Sequence, residues 1–200
     1  AYPSSYADYT VRLGTFTMAG PSTAARTACT KGLDCEVFLT GVGLVADNRL
    51  MILDPGESCG DAAPTRATFS PMASSDQNPE ADNMEYQLGI ADTGIAREGY
   101  VLCWGHFPNG DLALYSFTVG SFAMLGANYY DMACTLGVAC QLQLDGADLA
   151  STNAVILYSW NEAKPCGENQ PVLATTLVNM AHSKSVEASS PYDTYAMGTA

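Results

Sequence analysis

Cysteine is the residue type in this chain with the most chemistry to offer. Seven occur, Cys29, Cys35, Cys59, Cys103, Cys134, Cys140 and Cys166. Their spacing fits neither a zinc knuckle nor a C-x-x-C redox pair. Disulfide formation in an oxidising compartment is the chemistry that suits them. Gly56-Glu-Ser58-Cys-Gly60 matches G-x-S-x-G, a motif that needs a strand, a sharp turn and a helix to present its serine. No helical pattern follows it here, so a disulfide cysteine in a turn is the preferred reading. A hydrolase built on Ser58 is the least favoured function. His106 and His182 lie in no recognisable site motif and read as surface residues. Asp145-Gly-Ala-Asp148 and Asp47-Asn48 carry oxygen ligands of the kind calcium takes, but without EF-hand spacing, and read as solvated turn acids. No catalytic residue, metal or cofactor is expected.

Composition narrows the partners. Apolar content is ordinary and charge is sparse, which argues for a packed protein. With 21 acidic residues against eight Lys and Arg, the net charge of −13 repels phosphate backbones and anionic lipid, so nucleic acid is not expected as a partner. No apolar run approaches the ~20 residues of a membrane span. The chain opens on Ala1 without a signal peptide and looks like a mature, secreted or cell-surface product. No Asn is followed at the second position by Ser or Thr, so N-linked glycans are not expected. Pro3-Ser4-Ser5, Pro21-Ser22-Thr23, Ser70-Pro71 and Ser189-Ser190-Pro191 could carry O-linked sugar or be plain loops.

The elements that position these residues occur twice. Tyr9, Gly14, Phe16, Met18 and Gly20 recur in the same order as Tyr115, Gly120, Phe122, Met124 and Gly126. Cys29-Thr-Lys-Gly-Leu-Asp-Cys35 recurs as Cys134-Thr-Leu-Gly-Val-Ala-Cys140. Leu39, Gly41, Leu44 and Asn48 recur as Leu144, Gly146, Leu149 and Asn153, and Cys59-Gly60 as Cys166-Gly167. Tyr86-Gln-Leu-Gly-Ile-Ala91 resembles Tyr195-Ala-Met-Gly-Thr-Ala200. So many matches in one order indicate an internal duplication.

Each copy reads as short strands rich in Val, Ile, Leu and Tyr, broken by Gly, Pro, Asn and Ser. Expected strands are Val37–Leu39, Asn48–Leu53, Met84–Ile90 and Tyr100–Trp104, then Cys140–Leu144, Asn153–Trp160, Pro171–Met180 and Tyr195–Gly198. Asn109-Gly110 is a strong hairpin-turn pair. The expected fold is all-β, with two tandem Ig-like β-sandwich domains joined by a shared linking strand. The expected boundaries are 1–20 for an N-terminal donor or linking strand, 21–114 for the first domain and 115–200 for the linking strand with the second.

The cysteines suit this plan, with Cys29–Cys35 and Cys134–Cys140 closing small loops and Cys59–Cys103 a long one. Other pairings are open on sequence alone. The counterpart of Cys103 falls in residues 92–105, a stretch that the second copy lacks. Cys166 is thus the odd cysteine, its partner unknown: a buried thiol, or the sign of a chain that continues past residue 200.

The apolar parity of the opening strand changes at its central glycine. Val11 and Leu13 share one face, and Phe16 and Met18 the other; Phe117 and Val119, then Phe122 and Met124, repeat the pattern around Gly120. A one-residue phase change flips every later side chain, and an in-strand glycine permits it. The expectation is a strand whose halves serve two different hydrophobic surfaces. Because Ala1-Tyr2-Pro3 resumes, in repeat register, where His106-Phe107-Pro108 stands, each molecule is expected to lack a piece behind and carry one in front. An open sheet edge invites strand addition.

The signature C-T-x-G-x-x-C, L-x-G, L, N and C-G, closed in the first copy by Tyr100-Val-Leu-Cys-Trp-Gly105, resembles cysteine-containing tandem β-modules of large secreted or surface proteins of unicellular eukaryotes, notably alveolates and algae. The two-domain arrangement with a linking strand is also similar to extracellular fibril subunits that polymerise by donor-strand insertion. That resemblance implies Ig-like domains, a non-enzymatic role and glycosylation. The second copy departs from it by lacking Y-x-L-C-W-G.

The expected function is therefore a structural subunit of an extracellular fibre, a homopolymer in which Tyr9, Val11, Leu13 and Gly14 enter the neighbour's second domain. Phe16 and Met18 are expected to stay in the molecule's own first domain. The alternative is a cell-surface adhesin or glycan-binding fragment of a longer repeat protein. The eleven tyrosines serve either a sugar-binding surface or packing between subunits, and the second use is preferred.

Overall fold

The computed structural model describes residues 5–24, 26–157, 166, 182–184 and 191–199. Among them the regular structure is nearly all β, with no α-helix and two short 3-10 turns, at Tyr6–Asp8 and Leu112–Leu114. The strands are β1 (Gly20–Pro21), β2 (Arg26–Thr30), β3 (Asp34–Phe38), β4 (Gly41–Val42), β5 (Arg49–Leu53), β6 (Ser70–Pro71), β7 (Ser75–Gln77), β8 (Glu85–Thr93), β9 (Arg97–Gly105), β10 (Phe117–Ala127), β11 (Ala139–Gln143), β12 (Gly146–Ala147), β13 (Ala154–Ile156), β14 (His182–Lys184) and β15 (Thr194–Thr199).

The first half is two sheets facing one core. A large sheet runs β10-β9-β5-β7, with β2 beside β10, and a smaller one runs β3-β8-β6. In β3, Cys35 and Val37 are buried and their neighbours exposed, the alternation of a strand with one wet face. β5 differs because every residue from Leu50 to Leu53 is buried. Leu50 and Ile52 face the smaller sheet and join Val37, Tyr86, Leu88, Tyr100 and Leu102 in the main core. Met51 and Leu53 point the other way, into a second cluster with Cys103 and Tyr115. The Cys59–Cys103 disulfide fastens a loop over that outer face. In the loop-entropy account such a bond contributes about 2–4 kcal/mol.

β10 completes the large sheet. It lies antiparallel to β9 on one side and parallel to β2 on the other, and sends Val119, Phe122 and Met124 into the main core. Its last residues leave this sheet: Gly126 and Ala127 pair with Ala147 and Gly146 of β12. At the front of the chain the arrangement recurs, since Gly20 and Pro21 pair with Val42 and Gly41 of β4.

The second half repeats several of these elements in detail. β11 pairs with β15 as β3 pairs with β8: Val37 faces Tyr86, and Leu142 faces Tyr195. Both ladders slip by one residue just after a cysteine, Cys35 opposite Gly89 and Cys140 opposite Gly198. Those glycines have φ of +82° and +90°, a backbone state that side chains with a Cβ rarely adopt. Asn48 accepts from the Val45 amide at 2.9 Å and Asn153 from the Ala150 amide at 2.6 Å, so the loop before the next strand is closed alike in both copies.

The expected strands that lie among the described residues are shifted at their ends, and β2, β4, β6, β7, β12 and β14 form where none was expected. β3 starts before Val37, β8 and β9 are longer than Met84–Ile90 and Tyr100–Trp104, and β13 ends at Ile156. Residues 158–160 of the expected Asn153–Trp160 and all of Pro171–Met180 lie outside the described residues. Asn109-Gly110 is a turn with φ of +46° and +82°, but it sits in a longer connection that also holds the Leu112–Leu114 turn.

Three core tyrosines make the first half sensitive to alkali. Burial pushes the Tyr86 hydroxyl up to about 12. Burial also raises Tyr115, helped by the neighbouring Asp76 carboxylate that accepts its hydroxyl at 2.9 Å, and burial raises Tyr100. An unfolded chain ionises these groups near pH 10 while the folded one holds their protons, so stability falls as pH rises above that point. The urea midpoint should hold up to about pH 10 and drop from there towards pH 12, with a shallower drop in Tyr86→Phe. Equal midpoints at pH 9 and pH 11.5 would refute this assignment.

Candidate assembly surface

The residues that set this chain apart are apolar and face solvent. From Tyr9 to Ala19 the backbone belongs to no strand. Leu13 is 96% exposed, Phe16 85%, and Tyr9, Val11 and Met18 are each more than two-thirds exposed. A hydrogen-bonded turn precedes them, in which Ser5 accepts from Ala7 and Asp8 accepts from the Ser5 amide. The paired residues Gly20 and Pro21 follow them.

The repeat shows what this sequence does when it has a partner. In β10 the counterparts of Leu13, Phe16 and Met18 are Val119, Phe122 and Met124, and all three are fully buried. Burying each such side chain contributes roughly 1.5–3 kcal/mol. Phe122 lies among Phe69 and Tyr100, with ring centroids 6.2 and 6.3 Å away. Phe117 stands at the margin, edge-on to Trp104 at 6.3 Å.

Three expectations are corrected here. Val119, Phe122 and Met124 serve one core rather than two. The ladder between β9 and β10 skips a residue between Thr118 and Gly120, so the parity change in sequence is absorbed by a bulge. The change of partner comes later, at Gly126 with φ +115°, and at Gly20 with φ +146° in the first copy. Phe16 and Met18 do not enter their own first domain, because β10 already occupies that position. Cys166 is exposed rather than buried.

Gly120 has its own reason. A Cβ there would collide with the Ala24 carbonyl, where the chain crosses beside β10 and the Ala24 amide donates to Val119 at 2.8 Å. Around Gly14 there is nothing within 4 Å.

A second apolar surface lies in the rear half, and sequence reasoning had not singled it out. Residues 131–139 are all exposed and, up to Val138, outside any strand, with Met132, Leu136 and Val138 among them. This stretch carries the repeat counterpart of β2, the parallel neighbour of β10. The disulfides make the contrast plain. Cys29–Cys35 is buried at both ends, whereas in Cys134–Cys140 only Cys140 is covered. Repeat alignment was the signal that could have located this surface.

The other candidates do not converge on a site. Ser58 is exposed in a loop beside the bonded Cys59, and no α-helix follows among the described residues. His106 meets the amide of buried Asn48 at 3.1 Å, and Asn48 also donates to the His106 carbonyl at 3.1 Å, a loop-holding contact. Asp145 accepts from Asn128, which also bonds the Ala96 backbone. No group of three or more His, Cys, Asp or Glu suited to a metal occurs among the described residues. No helix among them is long and apolar enough to cross a membrane.

No family model, curated protein or solved structure matches this chain.

The two copies of the strand should respond oppositely to the same truncation. Phe122→Ala removes a packed ring and should cost about 3–5 kcal/mol of folding stability. Phe16→Ala should leave the denaturation midpoint of the dilute monomer within about 0.5 kcal/mol of the unsubstituted chain. Equal losses in a urea titration would mean that the front segment packs within its own molecule.

Proposed function

We propose that this chain is a structural subunit of an extracellular fibre, built from two tandem Ig-like β-sandwich domains and polymerising head to tail. The N-terminal strand of one molecule enters the second half of the next. The single observation behind this reading is that one sequence occurs twice, buried as a core strand in β10 and bare at the front of the chain. A long exposed apolar segment is a liability in a monomer and an asset in a polymer. Strand addition of this kind joins unlike surfaces, so it propagates into rings or open filaments instead of closing as a dimer.

The three disulfides accord with an oxidising, extracellular setting. No role is assigned to a catalytic group or cofactor. Ser/Pro clusters such as Pro21-Ser22-Thr23 are the places where O-linked sugar would sit on such a fibre.

Deleting residues 1–18 keeps the Gly20–Pro21 pairing with β4 and every strand of the first core. The truncated protein should keep the far-ultraviolet spectrum and thermal midpoint of the unassembled chain, and form no filaments under the electron microscope. Filaments from the deletion variant would refute strand donation. A full-length chain that stays a 21.1 kDa monomer at high concentration would instead favour an adhesin or glycan-binding module.

A further inference from the structure

We infer that the acceptor in the neighbouring molecule is Asp131–Thr135, and that Thr15–Ala19 lies parallel to it with Phe16 opposite Met132 and Met18 opposite Cys134. This inference rests on the strand-donation reading and gives it an address and a register.

The register comes from the first half. There β10 runs parallel to β2, with Ser121 opposite Arg26, Phe122 opposite Thr27, Ala123 opposite Ala28, Met124 opposite Cys29 and Leu125 opposite Thr30. The repeat converts Ser121–Leu125 into Thr15–Ala19, and Arg26–Thr30 into Asp131–Thr135. Both converted segments are exposed and neither belongs to a strand, although their counterparts form a ladder. Among the described residues the two halves share the same bulged pairing after the second cysteine of each small loop.

Backbone contacts at both ends of the original ladder lock its register. Ala24 donates to the Val119 carbonyl at 2.8 Å, and Lys31 to the Leu125 carbonyl at 3.0 Å. Their counterparts are Tyr129 donating to Leu13 and Leu136 donating to Ala19. Close approach at the first of these requires glycine opposite it. Gly120 meets that need inside the chain; Gly14 is the matching glycine, uncrowded in its own molecule, where a φ of +146° is a second reason for glycine. Leu13, Phe16 and Met18 would then cover the bare Cys134 end of the disulfide as Met124 covers Cys29.

Charge agrees with a second copy as the occupant. Residues 128–200 carry seven Asp and Glu against two Lys, whereas residues 9–19 carry Arg12 and no acid. The donor is thus the cationic apolar segment of a chain at −13, directed at an acidic half.

Paired cysteines test the register in the full chain, with Cys166→Ser in every variant so that the exposed native cysteine takes no part. Thr15→Cys with Asp131→Cys places two sulfurs on neighbouring strands at one level, whereas Thr15→Cys with Ala133→Cys separates them by roughly 6.6 Å along the strand. Under a mild oxidant the aligned pair should give a ladder of covalent multimers on a non-reducing gel at least about tenfold faster than the shifted pair, because disulfides tolerate little misplacement. Thr15→Cys alone should give no ladder. Filaments in which the shifted pair, or neither pair, cross-links would overturn the register and leave strand donation standing. Absence of filaments from the unsubstituted chain would overturn both. Gly14→Val supplies a further check: the left-handed φ it disfavours lies in an exposed segment outside every strand, so the monomer should melt as before while assembly is lost, and filaments from this variant would overturn the proposed close approach of Tyr129.

Discussion

A β-sheet edge with a half-filled core is unstable until something both pairs its backbone and fills the space beneath. In the first half of this protein β10 does both. Its amides and carbonyls are engaged by β9 on one side and β2 on the other, and Val119, Phe122 and Met124 fill the volume between the two sheets. Three local features adapt the strand to that slot. The bulge after Thr118 brings both halves of the side-chain pattern to the same core. Gly120 admits the crossing backbone of Ala24. Gly126, with its positive φ, releases the last residues to β12.

The position of β10 in the chain also explains why the front segment stays outside. Residues 9–19 carry nearly the same apolar pattern and would suit the same slot. β10, however, follows β9 through a connection of modest length, so its effective concentration at the slot is far higher than that of any segment arriving from elsewhere. Once β10 is in place, the front segment has no vacancy beside β9 and β2, and it joins the body only at Gly20 and Pro21, which pair with β4. Exposure of Leu13 and Phe16 is then a consequence of topology, not of weak hydrophobicity.

Much of this was legible in the residues. The duplication is visible in the paired cysteine loops and in the recurrence of Asn48 as Asn153, and the β content follows from short alternating apolar runs between Gly, Pro and Asn. The parity change at Gly14 and Gly120 was equally visible, but its meaning was not. Period-two counting assumes a regular strand; a bulge resets the count, and whether one is present depends on the neighbouring strand's hydrogen bonds. Residues 131–135 were hidden for a related reason. Within Asp131-Met-Ala-Cys-Thr135 itself nothing marks a bare edge, because bareness is a property of what lies beside it; only the alignment of this stretch with β2 points to it.

The amino-acid order alone therefore determined the repeat, the strand-rich character, the acidic surface and the presence of a spare apolar segment at the front, since each is written in residue type and spacing along one chain. Tertiary structure alone decided which face each half of β10 serves, where the chain changes from one partner to the next, and which of the two related segments is buried as a strand. Those outcomes turn on competition for a single gap between β9 and β2, and a gap exists only once distant strands have been brought together.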